Sequence, residues 1–103
     1  MQTTITARHG EIPEDLRARA EVLVERLALR TTRPTSAHVT FVIERSRAEA
    51  EIVLSAARGV TYVAKAEADD ARTALDRVAA KLQRQLDKAN DRPARRAMRK
   101  VAS

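Results

Sequence analysis

The segment from Asp69 to Arg92 constrains the fold most strongly, because two separate stripes of residues repeat along it with helical spacing. The first stripe is apolar and consists of Leu75, Val78, Leu82, Leu86 and Ala89. The second is basic and consists of Arg77, Lys81, Arg84, Lys88 and Arg92. Since each residue of an α-helix advances by about 100°, the two stripes are centred roughly 120° apart. We therefore predict a long helix that buries the first stripe in the core and presents the second to another molecule.

The net charge of +6 is concentrated towards one end of the chain. Residues 1–68 hold ten basic and nine acidic side chains, whereas residues 69–103 hold ten basic and only five acidic ones. A local surplus of cations favours a polyanionic partner, with nucleic acid first and an anionic membrane surface second. The alternative is a solvated charged helix that serves solubility alone.

The rest of the chain predicts one further helix and four short strands. Residues 3–8 are β-branched and polar and indicate a strand, and Pro13, followed by two acids, begins an amphipathic helix that we place at 13–30. After a loop at 31–36, the apolar period changes to two, as it does in half-buried strands. Turns at Ser46-Arg47 and Arg58-Gly59 separate three such strands, which we place at 37–44, 49–56 and 60–67. Asp69 or Asp70 is the predicted cap of the long helix, and Pro93 its predicted end.

These elements predict a two-layer α+β domain with the order β-α-β-β-β-α. Three strands joined by short turns form an antiparallel meander, and two amphipathic helices cover one face of the sheet. The first strand joins the sheet beside a neighbour that the sequence does not identify. We assign residues 1–92 to this domain and residues 93–103 to a basic, flexible C-terminal tail.

Composition and spacing argue against an enzyme and against a bound cofactor or metal. The chain has no cysteine, its two histidines, His9 and His38, lie in no metal-binding spacing, and its two glycines, Gly10 and Gly59, form no phosphate-binding loop. No apolar run approaches the length of a transmembrane helix, and the N-terminus lacks the pattern of a secretion signal. We therefore expect a cytoplasmic binding protein with no small-molecule substrate.

Several short motifs, taken together with the order of elements, resemble the family of ribosome hibernation-promoting factors and ribosome-associated translation inhibitors. They are Ile5-Thr6, Glu11-Ile12, Arg26-Leu27, Asp70-x-x-x-Ala74-Leu75-Asp76 and Lys81-Leu82-x-Arg84-Gln85-Leu86-x-Lys88. The last pattern is the most specific, because it combines apolar and basic positions. The resemblance covers roughly residues 3–92 and implies a fold similar to the double-stranded RNA-binding domain.

The resemblance also implies a function. Members of the family are not enzymes; they bind the small ribosomal subunit and its rRNA where messenger RNA and transfer RNAs would sit, and they stop translation in stationary or stressed bacterial cells. By position, Lys81, Arg84 and Lys88 match the basic residues of the second helix, and Arg17 and Arg26 match basic positions of the first. With Arg77 and Arg92, these are the predicted RNA-binding residues. A second factor for ribosome dimerisation is a further possible partner.

The chain departs from the family pattern at a few positions. Arg72 stands where the family often has an aromatic residue, and Leu23 and Leu29 stand where relatives can carry a base. The basic segment after Pro93 resembles the short hibernation-promoting type rather than the inhibitor type, whose tail is longer and acidic. Two alternatives remain open from the residues alone: a basic module that binds an acidic protein or a membrane surface, and a generic binder of duplex RNA.

Overall fold

Four strands and two helices follow one another in the predicted order. The computed structural model describes the backbone of residues 1–102 and the side chains of residues 1–90. The elements are β1 (Gln2–Arg8), α1 (Glu14–Ala28), β2 (Pro34–Ile43), β3 (Ala48–Ala56), a short 3-10 turn (Ala57–Gly59), β4 (Val60–Ala68) and α2 (Ala71–Ala102). The predicted α+β class and the four-stranded sheet are confirmed.

The strands lie in the sheet in the order β1-β2-β3-β4. The pairs β2–β3 and β3–β4 are antiparallel, as expected for strands joined by short turns. The first strand pairs with β2 in parallel, with Ile5 opposite Val39. This pairing is the one that the sequence left open, and it follows from the long connection through α1, since parallel neighbours need a crossover. Strands β1 and β4 are therefore the two edges of the sheet.

The core lies between one face of the sheet and the two helices. Val39, Phe41, Ile52 and Leu54 on the sheet are fully buried, as the alternating pattern predicts. The helices contribute their apolar faces, which for α1 are formed by Leu16, Ala20, Val24, Leu27 and Ala28. Small residues predominate on the inner side of β4, where Ala64, Ala66 and Ala68 leave room for α2 to lie close to the strand.

The opposite face of the sheet is covered by no element of the described part of the chain. Thr6 and His38 on neighbouring strands are hydrogen-bonded there at 3.1 Å, and Lys65 lies 3.6 Å from Glu49. The charged side chains of this face are nearly balanced: Arg8, Glu49, Glu51, Lys65 and Glu67. We call this surface the open sheet face.

The structure gives further detail on two predicted turns and contradicts two predictions about α2. The turn between β2 and β3 spans four residues, 44–47, and so is longer than the Ser46-Arg47 pair alone, in keeping with the poor fit of both residues to the positive φ of a two-residue turn. It is closed by a hydrogen bond from the backbone N–H of Glu44 to the carbonyl oxygen of Arg47 at 2.9 Å. Arg58 itself, and not only Gly59, has a positive φ, 67°. Ala89 is exposed, so the buried stripe of α2 ends at Leu86.

The second wrong prediction concerns the end of α2, which continues through Pro93 to Ala102. The proline ring holds φ near the helical value, so the residue costs a backbone hydrogen bond without excluding the helix. The side chains of the predicted flexible basic tail, 93–103, lie outside the described residues, and the division into domain and tail stays a prediction.

Candidate nucleic-acid interface

The start of α2 is set by the side chain of Asp70, one of the two predicted caps. Its Oδ1 accepts a hydrogen bond from the backbone N–H of Thr73 at 2.8 Å, and its Oδ2 accepts one from the Thr73 hydroxyl at 3.0 Å. The Thr73 N–H, and next its hydroxyl, lower the pKa of Asp70, because they stabilise the carboxylate. Capping at this residue determines where the helix begins.

The apolar stripe of α2 faces the sheet. Leu75, Val78 and Leu82 are 0% exposed and Leu86 is 1% exposed. Because these four positions are buried, the positions about a third of a turn away are left on the outer side of the helix.

The basic stripe lies on that outer side. Arg77, Lys81, Arg84 and Lys88 are all exposed, and we call these four residues the cationic row. None of them forms an ion pair with a carboxylate among the residues whose side chains are described. Arg92, the fifth predicted member, has a side chain outside that part of the chain. Among the side chains of residues 1–90, the row therefore presents cations that no carboxylate binds in an ion pair.

One side of α2 is attached to the free edge of β4 by three side chains spaced one turn apart. Arg77 Nη1 donates to the carbonyl oxygen of Glu67 at 2.9 Å, and Lys81 Nζ donates to that of Lys65 at 2.9 Å. Gln85 Nε2 donates to the carbonyl oxygen of Val63 at 2.8 Å. These bonds, which we call the edge contacts, satisfy acceptors that an edge strand would otherwise leave unpaired. Sequence reasoning missed them, although the four-residue spacing of the three donors was visible.

The other side of α2 carries both of the acids that lie in the helix between residues 71 and 90. One pairs with an arginine of α1 and the other with an arginine just after the end of α1. Arg19 Nη2 lies 2.9 Å from Asp76 Oδ1, and Arg30 Nη1 lies 2.6 Å from Asp87 Oδ1. Arg19 also donates through Nε to the same oxygen of Asp76 at 3.1 Å. Asp76 and Asp87 are thus directed towards α1 and its C-terminal end, away from the cationic row.

The two predicted residues of α1 have different environments. Arg17 is half-buried, and its Nη1 donates to the carbonyl oxygen of Ile5 on β1 at 3.0 Å. Arg26 is exposed and lines a groove of about 460 Å³ between α1 and α2. The floor and walls of this groove include Leu23, Ala79, Ala80 and Gln83, with Arg19 and Arg30 on the α1 side. Arg26 therefore lies beside α2, whereas the guanidinium of Arg17 is already bound to β1.

The described residues meet neither the requirements of a metal site nor those of a membrane-spanning helix. No group of three or more histidine, cysteine or acidic side chains there is placed to hold a metal ion. No helix in the same part of the chain is both long and apolar enough to cross a bilayer.

Comparisons with known proteins agree with this architecture. The family model described as Sigma 54 modulation protein / S30EA ribosomal protein matches residues 3–93. Among curated proteins, no sequence matches the chain.

Two solved structures share the fold. A ribosomal subunit interface protein from Coxiella burnetii has a TM-score of 0.76 and 24% identity, and the match covers 89% of this chain and 100% of that one. The N-terminal domain of Protein Y from Thermus thermophilus has a TM-score of 0.73 and 24% identity, with 85% of this chain and 98% of that one covered.

Proposed function

Since the chain belongs to the Sigma 54 modulation protein / S30EA ribosomal protein family, we propose that it binds the small ribosomal subunit and inhibits translation. In this proposal the protein acts in the cytoplasm of stationary or stressed bacterial cells and occupies the decoding channel of idle ribosomes. It acts by occupancy, without catalysis or a cofactor. A second factor would be needed wherever ribosomes also dimerise.

The observation that carries the proposal is the separation of charge on α2. Four exposed cations follow one side of the helix, while Asp76 pairs with Arg19 of α1 and Asp87 with Arg30 just after it. A polyanion approaching the outer side of α2 therefore meets cations without meeting their counter-charges. Arg92 would extend the row by one turn, and Arg26 would add a cation from the neighbouring groove.

Ribosomal RNA suits such a surface. Structured RNA is recognised mainly through its shape and its phosphates, and each neutralised phosphate releases condensed counterions. The edge contacts and the ion pairs with Arg19 and Arg30 already hold α2 in place. The cationic row therefore loses little conformational freedom on binding. Arg84 and Lys88 have no hydrogen-bond partner among the described side chains, so they are the members most available to phosphates. Arg17 must give up its contact with Ile5 to reach RNA, and we assign it a smaller part.

Co-sedimentation with vacant small subunits tests the proposal. We expect the wild-type protein to bind saturably at low salt, with the logarithm of the binding constant falling linearly with the logarithm of salt concentration. The variant Arg84→Glu/Lys88→Glu should bind at least about tenfold more weakly and with a shallower salt dependence, because two phosphate contacts are lost.

The matched control is Arg8→Glu/Arg45→Glu, which makes the same change in net charge on the open sheet face and in the β2–β3 turn. It should keep wild-type binding apart from a small nonspecific loss. Equal weakening of both variants would refute a role for the cationic row. Failure of the wild-type protein to sediment with subunits at low salt would refute ribosome binding itself.

Two further binding assays test the two alternative functions. A binder of anionic membranes would float with vesicles containing an acidic lipid, and a generic duplex-RNA binder would be displaced from subunits by plain duplex RNA. We expect neither result. Inhibition is tested separately, in a cell-free translation reaction, where the wild-type protein and the control variant should lower the yield and Arg84→Glu/Lys88→Glu should not.

A further inference from the structure

A second cationic surface lies at the end of the sheet where the α1–β2 loop meets the turn between β3 and β4. It is a cleft of about 470 Å³. The backbone N–H of Ala57 donates to the carbonyl oxygen of Arg33 at 3.0 Å and so joins the loop to the turn. The cleft is lined by these two segments together with Val60 and Tyr62 of β4 and Asn90 of α2.

The lining has the chemistry of an anion site. Arg33 and Arg58 are both exposed, and no acidic residue is among those that line the cleft. Within the described side chains, neither arginine forms an ion pair. The hydroxyls of Thr31 and Thr32 add neutral hydrogen-bonding groups on the loop side.

The cleft also has an aromatic wall. Tyr62 is half-buried and packs against the core with part of its surface, so its ring is held in place. It is the only aromatic side chain in the chain besides the fully buried Phe41. An immobilised ring beside two cations can stack with a base while the cations bind the phosphate attached to it.

The backbone gives an independent reason to regard the two arginines as functional. Arg33 has φ of 51° and Arg58 has φ of 67°, in the left-handed region that glycine adopts freely and other residues adopt at a cost. Gly59, next to Arg58, shows that glycine is used in this turn. Strained conformations of this kind persist most often at binding sites. A third residue of this kind, His9 with φ of 64°, lies outside the cleft, whereas the two that line it both carry a guanidinium.

We propose that this cleft binds a nucleotide, with the phosphate at Arg33 and Arg58 and the base against Tyr62. Its volume lies within the range of small-ligand sites, and a guanidinium can bind two phosphate oxygens at once. The nucleotide is either a free ribonucleotide or an unpaired nucleotide of an RNA strand. The site is separate from the cationic row, so nucleotide binding can be tested independently of ribosome binding by α2.

The positive φ values allow the charge of each arginine to be removed without loss of protein stability. Arg33→Gly and Arg58→Gly each remove a guanidinium while supplying the residue that the backbone conformation favours, so each variant should be at least as stable as the wild type. Each should nevertheless bind adenosine monophosphate about tenfold more weakly, because a charge-assisted contact to phosphate is lost. Arg45→Gly, in the turn at the opposite end of β3, removes the same charge and should leave nucleotide binding unchanged.

The titration is followed by the backbone amide signals of the full-length protein in heteronuclear NMR. Adenosine monophosphate should shift the signals of residues 31–33 and 57–62 and should bind more tightly than ribose 5-phosphate or inorganic phosphate. Tyr62→Leu keeps an apolar side chain against the core and should abolish that preference for the base. An unpaired oligoribonucleotide that binds at least tenfold more tightly than the monophosphate identifies RNA as the source, and equal affinity identifies the free nucleotide.

Two results would overturn the proposal. One is wild-type affinity for adenosine monophosphate in both Arg33→Gly and Arg58→Gly. The other is an absence of signal changes around the cleft at millimolar nucleotide and with the oligoribonucleotide. Arg84→Glu/Lys88→Glu should keep the monophosphate site, and this distinguishes failure of the cleft from failure of the proposed function.

Discussion

Arg30, just after the end of α1, and Asp87 on α2 form an ion pair at 2.6 Å, although 57 positions separate them in the chain. A second pair, Arg19 with Asp76, has the same separation and lies about three helical turns earlier along both helices. Two pairs with one common separation mean that α1 and α2 run in the same direction, side by side. The pairs also direct both acids of this part of α2 away from its cationic row.

Neutralising these two acids should weaken the fold slightly and strengthen RNA binding. Each pair has side chains that are roughly two-fifths exposed, so each contributes less than about 1 kcal/mol, and less in high salt. We expect Asp76→Asn/Asp87→Asn to lower the free energy of unfolding by about 1 kcal/mol in urea at low salt. The same variant should bind small subunits more tightly, because Arg19 and Arg30 are released and the net charge rises. Glu25→Gln, on the outer side of α1, raises the net charge by one without releasing an arginine, so it should leave stability unchanged and strengthen binding less.

Removing one edge contact should cost more than removing the same side chain elsewhere on α2. Gln85→Ala loses a hydrogen bond to the carbonyl oxygen of Val63, whereas Gln83→Ala removes an exposed amide with no such partner. We expect Gln85→Ala to lower the free energy of unfolding by about 1 kcal/mol more than Gln83→Ala does, measured by urea denaturation. Equal stability of the two variants would show that the contact contributes nothing.

Removing all three edge contacts should make the protein associate with itself. Arg77→Ala/Lys81→Ala/Gln85→Ala leaves the carbonyl oxygens of β4 unpaired, and an exposed edge strand pairs readily with another chain. Sedimentation velocity should show larger species that increase with protein concentration and that the wild type lacks under the same conditions. The prediction fails if the variant and the wild type sediment alike over the whole concentration range.

Truncation of the buried stripe should destabilise the domain strongly. Leu82 is 0% exposed, and replacement by alanine should cost about 2–5 kcal/mol in urea denaturation, because it removes buried apolar surface and leaves a cavity. Ala89→Ser, at the position that the stripe includes by spacing but the structure exposes, should change stability by less than about 0.5 kcal/mol.

The cap of α2 should make stability depend on acidic pH. Hydrogen bonds from Thr73 lower the pKa of Asp70 in the folded protein, so this carboxylate stabilises the fold above its unfolded pKa. That contribution is lost as the pH falls through the lowered folded pKa. Asp70→Asn keeps a capping side chain that does not titrate. The stability difference between wild type and Asp70→Asn should therefore change between neutral and strongly acidic pH, and a constant difference would contradict the assignment.

Periodicity was sufficient to predict the two faces of α2, because burial of Leu75, Val78 and Leu82 leaves little choice about where Arg84 and Lys88 point. The same holds for the strands, whose alternation determines which side chains face the core. The family resemblance, which depended on the pattern of α2, is confirmed by the match over residues 3–93. The exposure of four members of the cationic row is likewise observed, while RNA binding by Arg77, Lys81, Arg84, Lys88, Arg92, Arg17 and Arg26 stays a prediction.

The features that sequence reasoning missed depend on contacts between distant segments. Nothing local to Arg17 indicates that its guanidinium binds the carbonyl oxygen of Ile5, and nothing local to Asp87 indicates Arg30. The neighbour of β1 was undetermined for the same reason. The left-handed backbone of Arg33 and Arg58 was missed differently, since residue preferences assign that conformation to glycine, asparagine and aspartate before arginine.

The open sheet face and the outer side of α2 differ in charge and lie on opposite sides of the protein. The charged groups of the open sheet face nearly cancel, whereas the outer side of α2 carries the four cations of the cationic row between residues 77 and 88. The electric field of a polyanion exerts a torque on a protein with this charge distribution. The torque turns the helices towards the polyanion before the two molecules touch. Collisions with the polyanion would then begin in a productive orientation, with the helices in front. The nearly neutral open sheet face would point away from the polyanion and stay accessible to another molecule.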